Sequence, residues 1–513
     1  FTTRRVLATR EFKRYTELLS QAGYDIHRMD PDNPPPPARD GVPTIYVGTL
    51  QDAHFTWLKT GLVPGEKPGG GTRLFANIDE IDEGVVHDNL RFVISEGVER
   101  PASAELAAQV HWAGQFLTRN LHSGGLTEAH FGRTPGQKPG EGLPAGLTTE
   151  GVAKAAQLAA QPLTEAEVHR LNMAAAARWD YLYRTHYTIH EGQVVLLNPV
   201  TDEVLYDPVT ATRSRWHGGL AQAIEARHGL TIHADPVTSK QVTVGQLFAL
   251  PVYRRVVGAS GTALGKGTQF ARQGLPRHIT AIPRYYHLRG SFDTDYVTPT
   301  AEAKLDAITR HTHDTQAHGT RQPQLIILPN RLVPRLSEKL AAAGVNHTAI
   351  DANWFLDQGT RREEAFEDAV AHAGETGHVL VINQQGGRGL DIPITSDARK
   401  AGGLYVRIGA HSDVPGDDNQ KENRTRRNGD PGGGRYYPSL DDPILSHPRA
   451  EITITRYNQA YHAYHAQPTS PTTRRALRIA EQTIRSLIPR LQAQAAQRLG
   501  IYLPPPPATT PPA

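Results

Sequence analysis

The sequence predicts an α/β chain built on parallel sheets, with an inserted α+β segment and a short helical C-terminus. Three observations predict it. From His278 onward, apolar runs of strand length alternate with stretches of helical spacing, the pattern of a parallel sheet covered by helices on both faces. Two of the apolar runs end in polar loops suited to phosphate or metal. Residues 74–78 run into Asp79-Glu80-Ile81-Asp82, and residues 379–382 run into a loop containing Gly386-Gly387-Arg388-Gly389-Leu390-Asp391. Between these halves, residues 109–236 carry helical capping signals and a hairpin pattern without that alternation.

Bulk properties narrow the classes. A chain of 513 residues holds several domains with sizeable cores. A net charge of +3 with the signs interspersed argues against a dedicated nucleic-acid binder, which carries a basic stripe. The absence of cysteine excludes disulfides, thiolate zinc sites and catalytic thiols. There is no apolar run of about 18 residues to span a bilayer, and no signal peptide is visible, so the chain reads as cytosolic. It begins at Phe1 and reads as a fragment.

Taken in order, residues 5–9 read as a short buried strand, and residues 11–22 as a helix through Phe12, Tyr15, Leu18 and Leu19. Residues 34–37 are a polyproline loop. A strand over 44–47 leads into a helix containing Phe55, Trp57 and Leu58. Gly69-Gly70-Gly71 precedes a strand instead of joining strand to helix, so it is a flexible loop and not a phosphate cradle. The strand at 74–79 ends in adjacent carboxylates, as a Walker B site requires: Asp79 to hold Mg²⁺ through water and Glu80 to polarise the attacking water. Thr164-Glu165-Ala166-Glu167 is a capping box opening a helix with Val168, Leu171, Ala175 and Leu182 on one side. A hairpin crosses Glu191-Gly192, and residues 214–227 form an amphipathic helix. Gly265-Lys266-Gly267-Thr268 is a decoy for a P-loop, because Ser260 and Gly267 break the required pattern.

The second half is read as strands over 279–282, 325–328, 347–350 and 379–382, alternating with helices over 301–312, 334–343 and 362–373. In the stretch 417–437, Gln420, Arg424 and Arg427 fall at i, i+4 and i+7 on one helix face, ended by the turn Gly429-Asp430-Pro431-Gly432. A glutamine and two arginines aimed one way suit a polyphosphate, and Asp430 suits a ribose hydroxyl. The bland alternative is a solvated charged helix. Leu477, Ile484, Ile488, Leu491, Ala495 and Leu499 form a helical stripe interrupted by Pro489, followed by a Pro-rich tail from 504 that reads as disordered. His311, His313 and His318 read as solvated helix-end histidines and not as metal ligands.

These motifs, in this order, resemble the SecA family of preprotein translocase ATPases. Gly387, Arg388, Gly389, Asp391 and Ile392 match the family's Gly-Arg-Gly-Thr-Asp-Ile. Asp418, Asn419, Gln420, Arg424, Arg427, Gly429, Asp430, Gly432 and Arg435 match its Gln-Leu-Arg-Gly-Arg region. Asp79-Glu80-Ile81-Asp82 resembles its Asp-Glu-Val-Asp, residues 258–263 its Gly-Met-Thr-Gly-Thr-Ala, and residues 214–227 the end of its preprotein cross-linking domain. Departures are Glu422 in place of an arginine and an altered segment at 412–416.

The resemblance implies two RecA-like, helicase-type motor domains. The first would occupy 1–108 with a return at 237–263, and the second 264–445. A preprotein cross-linking-like insertion at 109–236, a helical remnant at 446–503 and the tail at 504–513 complete the chain. It implies ATP and Mg²⁺ as cofactors, with Asp79, Glu80, Arg424 and Arg427 catalytic, Asp79 the metal ligand, and Gly387, Arg388, Asp391, Gln420 and Asp430 nucleotide-binding. Arg424 and Arg427 would reach the γ-phosphate from the domain opposite Glu80. The implied function is ATP-driven protein transport of unfolded preproteins through a SecY-type channel, peripheral on the inner face of the cell membrane. An anionic membrane surface and a homodimer are compatible further partners, and no nucleic acid is expected. No Walker A sequence occurs within the 513 residues. It lies upstream of Phe1, or the protein is a degenerate peptide-binding or assembly module. A nucleic-acid helicase is the third alternative.

Overall fold

The computed structural model describes residues 1–513 apart from 3–4, 83, 86–90, 97–99, 134–144, 199–201, 206–214, 236, 388–389, 414, 447–449 and 499–513. The chain divides into two compact units. One comprises Phe1–Phe92, Gln241–Asp351 and Gln358–Ala513, and the other Val93–Lys240 with Ala352–Asp357.

The first unit is organised on a six-stranded parallel sheet. Its spatial order is Thr348–Ile350, Val379–Ile382, Gln324–Ile327, Leu404–Ile408, Gly432–Tyr436 and Phe292–Asp293. Strands covered on both faces must be apolar throughout, and Leu325, Ile326, Ile327 and all of Val379–Ile382 are fully buried. The helices Ala301–Ala317 and Val333–Ala342 supply Leu305, Ile308, Leu336 and Leu340 to the same core. From the central strand Gln324–Ile327 the chain steps outward, returns to Val379–Ile382, and then crosses to Leu404–Ile408 on the other side. The loops after Ile382 and Ile408 therefore leave one sheet edge on either side of the switch point, where open α/β sheets bind ligands.

The same unit holds two parallel pairs, Asp25–Arg28 with Thr44–Val47, and Leu74–Asp79 with Tyr253–Ala259, in which Asp79 lies opposite Ala259. Helix Leu50–Thr60 is opened by a Thr49–Asp52 capping box and closed by left-handed Gly61. At the C-terminal end, helices Glu451–Ala466 and Pro471–Arg498 pack on each other around Tyr457, Ile484, Ile488 and Leu491, and against Leu440, Ile444 and Leu445.

Two expected strands are absent. Residues 5–9 belong to helix Arg5–Gln21, because the three-residue apolar run Val6-Leu7-Ala8, with no Gly or Pro beside it, merges with the helical period that follows it. Residues 279–282 form no strand, and Ile282 is 88% exposed. Pro276 and Pro283 bracket that run and withhold backbone donors that a ladder needs. The edge strand forms at Phe292–Asp293 instead.

His311 bonds the Tyr437 hydroxyl at 3.0 Å, and burial followed by nearby arginine charge lowers its pKa to about 4. It is a structural histidine. Among the described residues no group of three or more His, Asp or Glu side chains is placed to hold a metal.

The second unit is built on helices Ala104–His122, Thr149–Ala159, Glu165–Trp179 and Leu220–Arg227, with a hairpin of Tyr187–His190 and Gln193–Leu196. Thr164 and Glu167 form the capping box read from the sequence. Glu191 (φ 50°) and Gly192 (φ 75°) make the left-handed turn between the hairpin strands. Arg215 clasps Glu225 through both guanidinium nitrogens, one at 2.9 Å, and its Nη2 also donates to the His233 carbonyl at 2.9 Å.

Candidate functional site

Because Leu74–Asp79 and Tyr253–Ala259 run parallel in register, residues 80 and 260 leave the same edge side by side. Ser260 Oγ donates to Glu80 Oε2 at 2.8 Å. Glu80 is left-handed, with φ 48°, a conformation that costs a non-glycine residue roughly 1–3 kcal/mol and is held by its surroundings. Those surroundings include a second acid. Asp82 is fully buried, accepts from Thr262 Oγ1 at 2.8 Å and is ion-paired with Lys266, itself 1% exposed. The lysine of the P-loop decoy is thus part of the acidic strand end. Asp79, the last strand residue, is exposed.

Helix Pro415–Glu422, which follows strand Leu404–Ile408 of the six-stranded sheet, meets this edge through Gln420, which is 4% exposed. Gln420 Nε2 donates to Glu80 Oε2 at 3.2 Å and to Thr262 Oγ1 at 3.4 Å. Gly261 permits the approach, since a Cβ there would lie 3.3 Å from Gln420 Nε2. Arg424 Nη2 donates to Gln420 Oε1 at 3.3 Å, and its Nη1 donates to the Leu390 carbonyl. Arg427 Nη1 reaches the same carbonyl at 3.2 Å and Asp391 Oδ1 at 2.6 Å. Glu80, Gln420, Arg424, Arg427 and Asp391 therefore form one chain of contacts. Gly387 is buried beside Lys421, whose Cγ would lie 3.1 Å from a Cβ at that position. Arg388 lies outside the described residues. Asp430 pairs with Arg399 at 2.6 Å.

The helix expected to carry all three polar residues is shorter than its spacing suggests. It spans Pro415–Glu422, and Arg426 (φ 59°), Asn428 (φ 52°) and Gly429 (φ 79°) are left-handed. Thr425 Oγ1 donates to the Leu404 carbonyl at 2.6 Å, which draws the chain back toward strand Gly432–Tyr436. Arg424 and Arg427 converge through Leu390 and not through a shared helix face.

A layer behind Gln420 had no local signature. His411 lies between two carboxylates, Asp418 Oδ2 at 2.7 Å and Asp295 Oδ2 at 2.9 Å, and stacks on Tyr436 at 3.9 Å. Burial opposes its charge, but the two hydrogen-bonded carboxylates outweigh burial and raise its pKa to about 9. Burial likewise works against the Asp418 carboxylate, yet His411, Lys421 and the Ser412 N–H hold its pKa below the usual range. Gln492, from helix Pro471–Arg498, donates to Asp418 Oδ2 at 2.8 Å and to the Ser412 carbonyl at 2.9 Å. Glu422, which replaces an arginine of the resembled pattern, accepts from the Tyr436 hydroxyl at 3.3 Å. Burial raises its pKa.

Acidic groups at a strand's C-terminal edge, facing a glutamine–arginine segment that leaves a parallel sheet, define the fold class: α/β of the RecA-like, helicase type. In sequence the chain is similar, in part and at low identity, to proteins of the SecA family. Protein translocase subunit SecA of Campylobacter hominis is 30% identical over 278 residues, covering 54% of this chain and 29% of that protein. SecA of Nitratidesulfovibrio vulgaris is 28% identical over 438 residues, covering 84% of this chain and 48% of its own. The chain thus spans less than half the length of these relatives. No family model matches it. Among solved structures, the E. coli DEAD-box protein SrmB bound to regulator of ribonuclease activity A is similar over 32% of this chain and 83% of that chain. The identity there is 19% and the TM-score 0.23.

Proposed function

We propose that this chain forms the nucleotide-responsive core of an ATP-driven preprotein motor, working at the cytoplasmic face of the membrane with a SecY-type channel and an unfolded polypeptide as partners. The observation that carries the reading is the direct Gln420–Glu80 contact, which ties the acidic strand end of one α/β domain to the polyphosphate-type segment of the other. The residues fit a magnesium nucleotide: Mg²⁺ takes oxygen ligands, and Asp79 offers an exposed carboxylate at the strand edge. In that role Asp79 holds the metal, which when bound offsets phosphate charge, and Glu80 orients water. Arg427 pairs with Asp391, whose side chain is 66% exposed. Ion pairs this wet are worth little, so Arg427 can exchange Asp391 for a phosphate oxygen. Arg424 anchors the Leu390 loop, so its movement would accompany that exchange. The second unit serves as the polypeptide-binding element. Among the described residues no helix is long and apolar enough to cross a membrane.

The test is Glu80→Gln in the complete protein. Hydrolysis of ATP falls by at least about 100-fold, the scale of a lost general base, while nucleotide binding persists. Turnover at the wild-type rate would remove Glu80 from the site.

A further inference from the structure

We infer that the second unit carries a binding pocket for a small phosphate-bearing polyanion, a site separate from the proposed nucleotide site and independent of the motor reading. Helices Ala104–His122, Glu165–Trp179 and Leu220–Arg227 border an open pocket of about 520 Å³, within the usual size range of small-molecule sites. Arg119, Arg178 and Arg227 line it, joined by His111 and His122, and none of its lining residues is acidic.

Each arginine stands in the last turn of its own helix. The ordinary role of such a cation is to complement the helix dipole. Magnitudes decide how far that role goes. Three helix ends supply about −1.5 charges in total, whereas the three guanidiniums supply three full positive ones, so the pocket keeps a positive excess before either histidine is protonated. Arg227 is partly engaged, donating to the Ala177 carbonyl. Arg119 lies 6.0 Å over the Phe116 ring, and all three arginines are exposed. Three cations lining one pocket raise the local positive potential, which draws an anion from solvent.

The chemistry of the neutralising group follows from the donors. A guanidinium presents a planar fork that matches two oxygens of a phosphate, and three forks around one cavity match a ligand with several phosphate oxygens. The floor, with Leu117, Ala174 and Ala223, is apolar and leaves space for a small organic body beneath the charged rim. The ligand is either free in solution or the headgroup of an anionic lipid.

The experiment uses the 513-residue chain, in which any phosphate binding at the nucleotide site is common to every variant compared. Inorganic pyrophosphate is titrated calorimetrically, and phosphatidylglycerol vesicles are tested by co-sedimentation. Adding Arg119→Ala and Arg178→Ala weakens whichever probe binds by at least about tenfold, the value of one charge-assisted hydrogen bond. Arg119→Lys with Arg178→Lys keeps the charge and retains part of the binding. An unchanged thermal transition shows that the alanine variant remains folded. Loss of pyrophosphate binding assigns a soluble ligand, and loss of vesicle binding assigns a headgroup. Binding of neither probe by the parent, or equal binding by the alanine variant, overturns the inference.

Discussion

Replacing His411 with glutamine removes a buried positive charge from between Asp295 and Asp418, and the expected cost can be worked out. The side chain is 13% exposed, so solvent screens it little. Holding its pKa at about 9, against an ordinary 6.5, corresponds to about 3 kcal/mol of stability favouring the charged form. The folded-state pKa is raised, so that contribution is complete below about pH 6.5 and disappears as the pH climbs through 9. His411→Gln is therefore less stable than the wild type by about 3 kcal/mol at pH 6, and the gap closes to within about 1 kcal/mol by pH 10. Urea unfolding of both proteins from pH 6 to 10 reads the gap directly. Taking the difference cancels lysines and tyrosines that titrate in the same range. A gap that stays constant across this interval, or no gap at pH 6, would refute the charged-sandwich description. Because Asp418 sits two residues before Gln420 and accepts from Gln492 of the C-terminal helix, the same substitution also loosens the support behind the candidate site.

Three further outcomes are expected. Arg215→Met breaks a bidentate pair in which the side chains are 9% and 3% exposed. Glu225 keeps the His233 N–H at 3.0 Å, so the cost lies near the lower end for a buried pair, about 3 kcal/mol, and Arg215→Met with Glu225→Met recovers most of it. Tryptophan fluorescence reads this well, since Trp112, Trp179, Trp216 and Trp354 all belong to the affected unit and only Trp57 to the other. Gly403→Ala destabilises the first unit by at least about 2 kcal/mol, measured by the urea midpoint, because Gly403 has φ 78° and its Cβ would lie 1.8 Å from the Pro431 carbonyl oxygen. Glu80→Gln lowers turnover by at least about 100-fold with little change in stability, since a glutamine of the same shape still accepts from Ser260 Oγ.

The legible parts of this protein were those in which local chemistry and local structure coincide. The strand Val379–Ile382 is apolar at every position because both faces are covered, and the Thr164–Glu167 box declares a helix start with its own side chains. Asp79, Glu80, Gln420, Arg424 and Arg427 stood out because adjacent carboxylates and clustered guanidiniums are uncommon residue patterns. Short apolar runs were ambiguous for the opposite reason: residues 5–9 and 279–282 carry no period long enough to separate strand, helix and loop, and only their packing environment chose.

By itself the sequence determined the alternation that makes a parallel sheet, the acidic strand end and the polar segment that faces it. The tertiary structure alone decided that Gln420 bonds Glu80, that Arg424 and Arg427 meet on Leu390, and that Lys266 neutralises Asp82. It likewise placed His411 between carboxylates 116 residues before it and 7 after it. These are pairings of single polar atoms brought together by chain reversals. Their strength depends on distances of a few ångströms and on exclusion of water, and neither quantity is encoded in any contiguous run of residues.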